Sequence, residues 1–180
     1  MRATFFVVGE EVMQYPALIR RMADAGHSIQ NHSWSHRDLS PPAGPRPRLS
    51  TITAQIERGA DAVEAVIGER PTCFRPPYGH TDDRVKAEAE RLGMTEWLWT
   101  IDSKDWKRPR PTSASIAQHV ERELAVPRPR LLEGSALVLM HDGPPGENRR
   151  ATVGAVTRII NDIHAKGVWR LELICPRAPA

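Results

Sequence analysis

Ser28-Ile-Gln-Asn-His32-Ser-Trp-Ser-His36 runs a short strand candidate straight into two histidines four residues apart. The same syntax recurs three more times. Phe74 leads into Arg75-Pro-Pro-Tyr78-Gly79, Ile101 follows an apolar run into Asp102-Ser-Lys-Asp105-Trp106, and Leu139-Met leads into His141-Asp142. Polar side chains that follow brief apolar runs are what parallel strands of an α/β protein present at their C-terminal ends, where such folds gather their working loops.

Further strand candidates extend outward from these four points. Together they cover residues 3–8, 28–31, 72–74, 95–101, 136–140 and 168–174. They are short and mostly continuous in apolar character rather than alternating, as expected for parallel strands covered on both faces. Helical periodicity fills the gaps. Ile52, Ile56, Val63 and Ile67 mark one face; Val85, Ala89 and Leu92 another; Ile116, Val120 and Leu124 a third; Val153, Val156, Ile160 and Ile163 a fourth. Pro16 fits the first turn of a helix over 15–25 that Gly26 closes, Ser50 and Thr112 suit N-caps, and Gly93 and Gly167 suit C-terminal positions. Strand–helix alternation of this kind predicts βαβ units and a parallel sheet, open or closed into a barrel.

With 180 residues and 40% hydrophobic content the chain suits one globular domain with a sizeable core. Its net charge of +3 comes largely from arginines scattered through Pro-rich loops such as 41–48, 107–111 and 127–130. They are not clustered with interleaved aromatics, which argues against a nucleic-acid surface. The longest apolar runs fall far short of a membrane span, and the opening Met-Arg-Ala-Thr shows no export signal. Cys73 and Cys175 are too few for a disulfide framework; buried free thiols or one bridge between them both remain open.

The chemistry-bearing types are specific. Imidazoles at 32 and 36 could share a zinc-like divalent ion on a helical turn, although nearby histidines are more often surface residues. His141 suits general acid or base work, and a carboxylate at Asp102 or Asp105 would favour its charged form and fix its orientation. Trp106 offers a flat wall for a methyl group or a sugar face. Arg75 is a permanent cation that wants a carboxylate partner. After Pro76 and Pro77, which donate no N–H, the first free amide is that of Tyr78, available to a developing oxyanion. Each feature alone also fits an ordinary strand end or turn.

The ordered set, with Gly68-Glu-Arg-Pro71 and Gly134-Ser-Ala-Leu-Val-Leu-Met-His141 as spacers, resembles the polysaccharide deacetylase family, carbohydrate esterase family 4, with its nodulation-type homology domain. The likeness runs from Ala3-Thr-Phe-Phe-Val-Val-Gly9 to near Leu173, so the domain is expected over 1–175 with a tail at 176–180. It implies a distorted (β/α) barrel of about seven units and metal-dependent removal of an acetyl group from a sugar. His32 and His36 match the metal histidines, with zinc favoured and cobalt or nickel possible. Arg75 matches the partner of the catalytic base, Tyr78 the oxyanion amide, and Asp105 the carboxylate that tunes the acid His141. Trp106, Leu139 and Pro77 match the substrate-binding surface.

One family element is absent from this sequence. A Thr-Phe-Asp-Asp-Gly motif, whose aspartates supply the base and the third metal ligand, would precede the Ala-Thr-Phe-Phe strand. Asp24 and Asp38 are the nearest aspartates, and neither follows a buried strand. The expectation is therefore a first β/α unit missing through a late start or truncation, with weak metal binding and little activity. The full-length parent is expected to be a monomer, secreted or in the cell envelope, acting on an acetylated poly- or oligosaccharide of chitin or peptidoglycan type. The alternatives are a non-catalytic carbohydrate-binding relative or degenerate fragment, and an amidase acting on a small non-sugar amide.

Overall fold

The computed structural model describes residues 1–126, 135–143 and 148–175. The predicted loop 127–130, the spacer residue Gly134 and the tail 176–180 lie outside them. The chain divides into two compact units, one of residues 1–98 with the segment from Leu171 onward, the other Trp99–Arg170.

The first unit is built on a parallel sheet in the order β1-β2-β3-β4, from β1 (Thr4–Val7), β2 (Ser28–Asn31), β3 (Cys73–Phe74) and β4 (Thr95–Glu96). β1 and β2 run in register from Thr4 opposite Ser28 to Val7 opposite Asn31. All four residues of β2 are buried, which explains its lack of alternation. Around the sheet lie α1 (Gly9–Gln14), α2 (Pro16–Asp24), α3 (Leu49–Ile67) and α4 (Asp83–Arg91). Val12, Ile19, Ile29 and Val63 form one apolar cluster, and Ile52, Ile56, Phe74 and Val85 another.

The second unit pairs β5 (Ile101–Asp102) in parallel with β6 (Val138–Leu139) beside α5 (Ser113–Ala125) and α6 (Arg150–Lys166). Ile101, Ile116, Val120, Ala155 and Ile159 form its core.

An α/β fold with parallel sheets is thus confirmed, with local departures. The expected strand over 95–101 is two strands, because β4 pairs with β3 whereas β5 pairs with β6. Residues 168–174 form no strand. Val168 and Leu171 are exposed, and the carbonyls of Ile174 and Cys175 are instead held by the side chains of Thr4 and Ser28, at 2.7 and 2.6 Å. The short helix α1 was not anticipated. Ser50 is not an N-cap, since Thr51 and Ile52 already donate to Arg48 O and the helix starts earlier. Thr112 does cap, accepting the Ser115 amide at 3.1 Å. On α6 the buried face is Thr152, Ala155, Ile159 and Ile163, and Val153 is 67% exposed. The helix is rotated from the expected stripe because Thr152 turns inward to a carboxylate.

Cys73 and Cys175 form a disulfide, with Cα atoms 6.2 Å apart. Of the two readings left open by the sequence, the bridge holds, and it fixes the segment near Ile174 beside β3.

Candidate functional site

β2 ends at Asn31, whose buried side chain builds the histidine turn. Its Nδ2 donates to Ile56 O at 2.8 Å, and its Oδ1 accepts the Ser33 amide at 3.0 Å. α3 must approach closely for this, and only glycine permits it: a Cβ on Gly59 would collide with Asn31 Oδ1 and the Ser33 backbone. The Ser33 hydroxyl then accepts the His36 amide at 3.1 Å. Gln55 Oε1 accepts from the Ser35 amide at 3.0 Å, and the Gln55 carbonyl accepts from Trp34 N at 2.8 Å.

Ser33 and His36 adopt left-handed φ values of 69° and 55°, so the segment is a strained loop and not the helical turn that the spacing suggested. That loop nevertheless brings the His32 and His36 rings to 4.9 Å, edge to face. His32 Nδ1 donates to Arg75 O at 2.7 Å. A carbonyl only accepts, so the lone pair of the neutral ring lies on Nε2, the arrangement found in metal-ligating histidines.

The next turn starts at Arg75. Its guanidinium lies 4.0 Å over the Phe6 ring, its Nε donates to Trp97 O at 3.2 Å, and its Nη2 donates to Leu98 O at 3.4 Å. Burial lowers its pKa to about 10, which still leaves it cationic at neutral pH. Backbone carbonyls and an aromatic face thus both contact the guanidinium. Pro77 is buried. Tyr78 follows with a φ of 62°, strain costing on the order of 1–3 kcal/mol in a non-glycine residue. The residue is 59% exposed, and its ring lies 4.7 Å from the His36 ring.

In the second unit Asp105 is 5% exposed and uses both oxygens. Oδ1 accepts from His141 Nδ1 at 2.8 Å; Oδ2 accepts from the His141 amide at 2.8 Å and the Thr152 hydroxyl at 3.0 Å. Burial works to raise the Asp105 pKa, but the hydrogen bonds and charge of His141 outweigh it and hold the carboxyl below its usual range. Leu139 is buried on β6, two residues before His141.

Asp102 organises the neighbouring turn. Its carboxylate accepts from Lys104 Nζ at 2.6 Å and Trp106 Nε1 at 3.1 Å, and its carbonyl accepts from His119 Nε2 at 3.0 Å. Trp106 remains 48% exposed. Lys104 is again left-handed, with a φ of 59°. Non-glycine strain among the described residues thus falls on three of the four loops that the motifs singled out, with Cys175 as the exception. Strain of this kind persists where surrounding structure over-determines it, commonly at working sites.

The predicted residues therefore come together in two groups. His32, His36, Arg75, Pro77 and Tyr78 belong to the first unit; Asp105, Trp106, Leu139 and His141 belong to the second. Sequence reasoning missed Asn31, Gln55, Thr152 and His80, all of which act through partners distant in the chain. Two imidazoles fit one half of a divalent site. Among the described residues no group of three His, Cys, Asp or Glu is placed to hold an ion, whereas a catalytic zinc uses three protein ligands. As it stands, the set does not fit a complete catalytic centre.

Paired imidazoles and a strained tyrosine thus follow parallel strands of the first unit, and a carboxylate-held histidine follows a strand of the second. The chain belongs to the polysaccharide deacetylase family, whose model matches residues 1–97. It is 36% identical over 152 residues to a chitooligosaccharide deacetylase of Bradyrhizobium sp. (strain ANU 289), covering 83% of this chain and 63% of that one. Other curated relatives are matched over 34% and 22% of their length, so the chain spans less than two thirds of each. Among solved structures, a CE4 family pseudoenzyme from Bacillus anthracis superposes with a TM-score of 0.80 at 26% identity, covering 97% of this chain and 54% of that one. A family 4 carbohydrate esterase from Streptomyces lividans in complex with acetate gives 0.74 at 30%, covering 93% and 76%.

Proposed function

We propose that this chain carries part of the machinery of a metal-dependent hydrolase that removes N-acetyl groups from an acetylated poly- or oligosaccharide of chitin or peptidoglycan type, its activity impaired for want of the base and the third metal ligand. Family membership supports the reaction class. The observation that carries the reading is the grip of Asp105 on His141 through two hydrogen bonds, with Asp105 itself held by a third from the Thr152 hydroxyl.

In this reading water adds to the acetamide carbonyl as its proton passes to a base, the one member that the motif set lacks; the C–N bond then breaks, and acetate and a free amine leave. With Nδ1 committed to Asp105, His141 offers Nε2 to the departing amine and gives it a proton. The Tyr78 amide donates to the carbonyl oxygen as it gains charge, and the Arg75 cation favours that charge. Trp106 and Leu139 wall the acetyl methyl. His32 and His36 would hold a divalent ion, zinc before cobalt or nickel, and with two imidazoles alone they hold it weakly. The finer architecture read with this function is a distorted (β/α) barrel. A monomeric protein working outside the cell or in its envelope completes the reading. The Cys73–Cys175 disulfide supports that location, since such bonds persist in oxidising compartments.

A second reading, a carbohydrate-binding relative without catalysis, is favoured by the short ligand set among the described residues and by the likeness to a CE4 family pseudoenzyme. Acetate release from chitotetraose, peptidoglycan and acetylxylan, measured with and without added zinc, separates the two. Zinc-stimulated release, abolished in His141→Ala, supports the hydrolase. Saturable chitotetraose binding without release at any zinc concentration supports the binding protein. An absence of both removes saccharides from the account.

A further inference from the structure

His80 lies just past the Arg75–Gly79 turn and belongs to none of the motifs that drew attention in the sequence. Its Nδ1 donates to Asp38 Oδ2 at 2.7 Å, and Asp38 is itself fixed, its Oδ1 accepting the Ser40 amide at 3.1 Å. An ionised carboxylate only accepts, so in the neutral ring the proton sits on Nδ1 and the lone pair on Nε2, away from Asp38. The Tyr78 ring lies 6.0 Å from that of His80, inclined by 33°, and 4.7 Å from that of His36. Tyr78 thus neighbours both imidazoles.

The His80–Asp38 pair is a poor device for stability. The two side chains are 39% and 25% exposed, and exposed pairs contribute little. The loops it joins are already tied by Ser40 Oγ, which donates to Asp82 Oδ2 at 3.0 Å, and by Arg46, which reaches the same oxygen at 3.2 Å. What the pair does supply is a fixed ring orientation. An exposed aromatic face beside a polar nitrogen of set direction suits a pyranose, whose C–H face covers the aromatic ring while a hydroxyl meets the nitrogen.

We propose that His80, oriented by Asp38, is a specificity-determining contact for saccharide, its Nε2 accepting a hydroxyl hydrogen bond from a sugar unit laid on Tyr78. This rests on the saccharide reading above and adds to it a named subsite beside the histidine turn.

The test is a chitotetraose titration of the chain followed by NMR of the histidine ring C–H groups, with His80 assigned from the His80→Gln variant. The His80 resonance is expected to move saturably, while that of His164, exposed near the end of α6, stays in place. Calorimetry should give His80→Ala a chitotetraose affinity lower by roughly three- to tenfold, the loss of one hydrogen bond. His80→Gln, which retains an acceptor, should recover part of it, and both variants should keep the melting temperature of the parent chain. Should His80→Ala fail to fold, the resonance shift in the parent chain and the affinity of His80→Gln decide the matter. If chitotetraose binds while the His80 resonance stands still, or if His80→Ala binds equally well, the subsite is refuted and the saccharide reading survives. If the parent chain binds no chitotetraose at millimolar concentration, both fall.

Discussion

Replacing Asp105 with alanine should cost the protein a large part of its stability, and the cost should depend on pH. Three hydrogen bonds converge on this buried carboxylate. Bonds to a charged acceptor are worth about 1.5–3 kcal/mol each, but they share one acceptor group and do not add. The half-exposed His141 ring belongs at the low end of that range. Stripping one partner from a buried ionic arrangement typically costs about 3–5 kcal/mol, and we expect about 3 here. At 2–4 °C per kcal/mol for a chain of this size, the melting temperature should fall by roughly 6–12 °C.

The sign with pH follows from the depressed Asp105 pKa. A folded-state value below the unfolded one, about 3.9, means the stabilisation is complete above that pH. It is lost as pH falls through the folded value. Urea unfolding at pH 7, 5 and 3 should show an equal gap between parent and Asp105→Ala at the first two pH values and a smaller gap at the third. A gap below 1 kcal/mol at pH 7, or one unchanged down to pH 3, would refute the reasoning.

Other consequences are open to simpler measurements. Gly59→Ala forces a methyl against Asn31 and the Ser33 backbone; a loss of about 1–3 kcal/mol in urea unfolding is expected, and an unchanged midpoint would contradict that contact. Reducing the Cys73–Cys175 bridge, which spans 102 residues, should destabilise the chain by up to about 4.7 kcal/mol, read as a lower melting temperature in dithiothreitol. Zinc should bind weakly by calorimetry and not at all in His36→Ala; equal binding by that variant would place the ion elsewhere. Trp106→Phe keeps the flat wall but loses the bond to Asp102. It should weaken chitotetraose binding by less than Trp106→Ala does.

The sequence made the strand ends legible because strands buried on both faces read as short apolar runs, and β2 with its histidines is the clearest example. Helix faces were legible wherever the core alone decides them, as with Ile52, Ile56 and Val63 on α3. On α6 a polar partner decided instead, and the periodicity pointed to Val153 when the buried residue is Thr152. Residues 168–174 carry a strand's composition but exchange ladder bonds for bonds to Thr4 and Ser28. Composition cannot reveal that exchange.

Pairs distant along the chain were hidden for a related reason. Asp38 meets His80 and Thr152 meets Asp105 through register, across 42 and 47 residues. Nothing local marks either pair. The left-handed residues Ser33, His36 and Tyr78 are likewise silent in sequence, since none is the glycine that ordinarily signals such a turn.

The most direct test of the account follows the ring signals of His32, His36 and His141 in one chitotetraose titration. If the two groups of side chains serve one reaction, all three signals move along a single saturation curve, and that curve is lost in Asp105→Ala and His36→Ala alike. Signals that respond with different midpoints, or a response confined to one group, would contradict it.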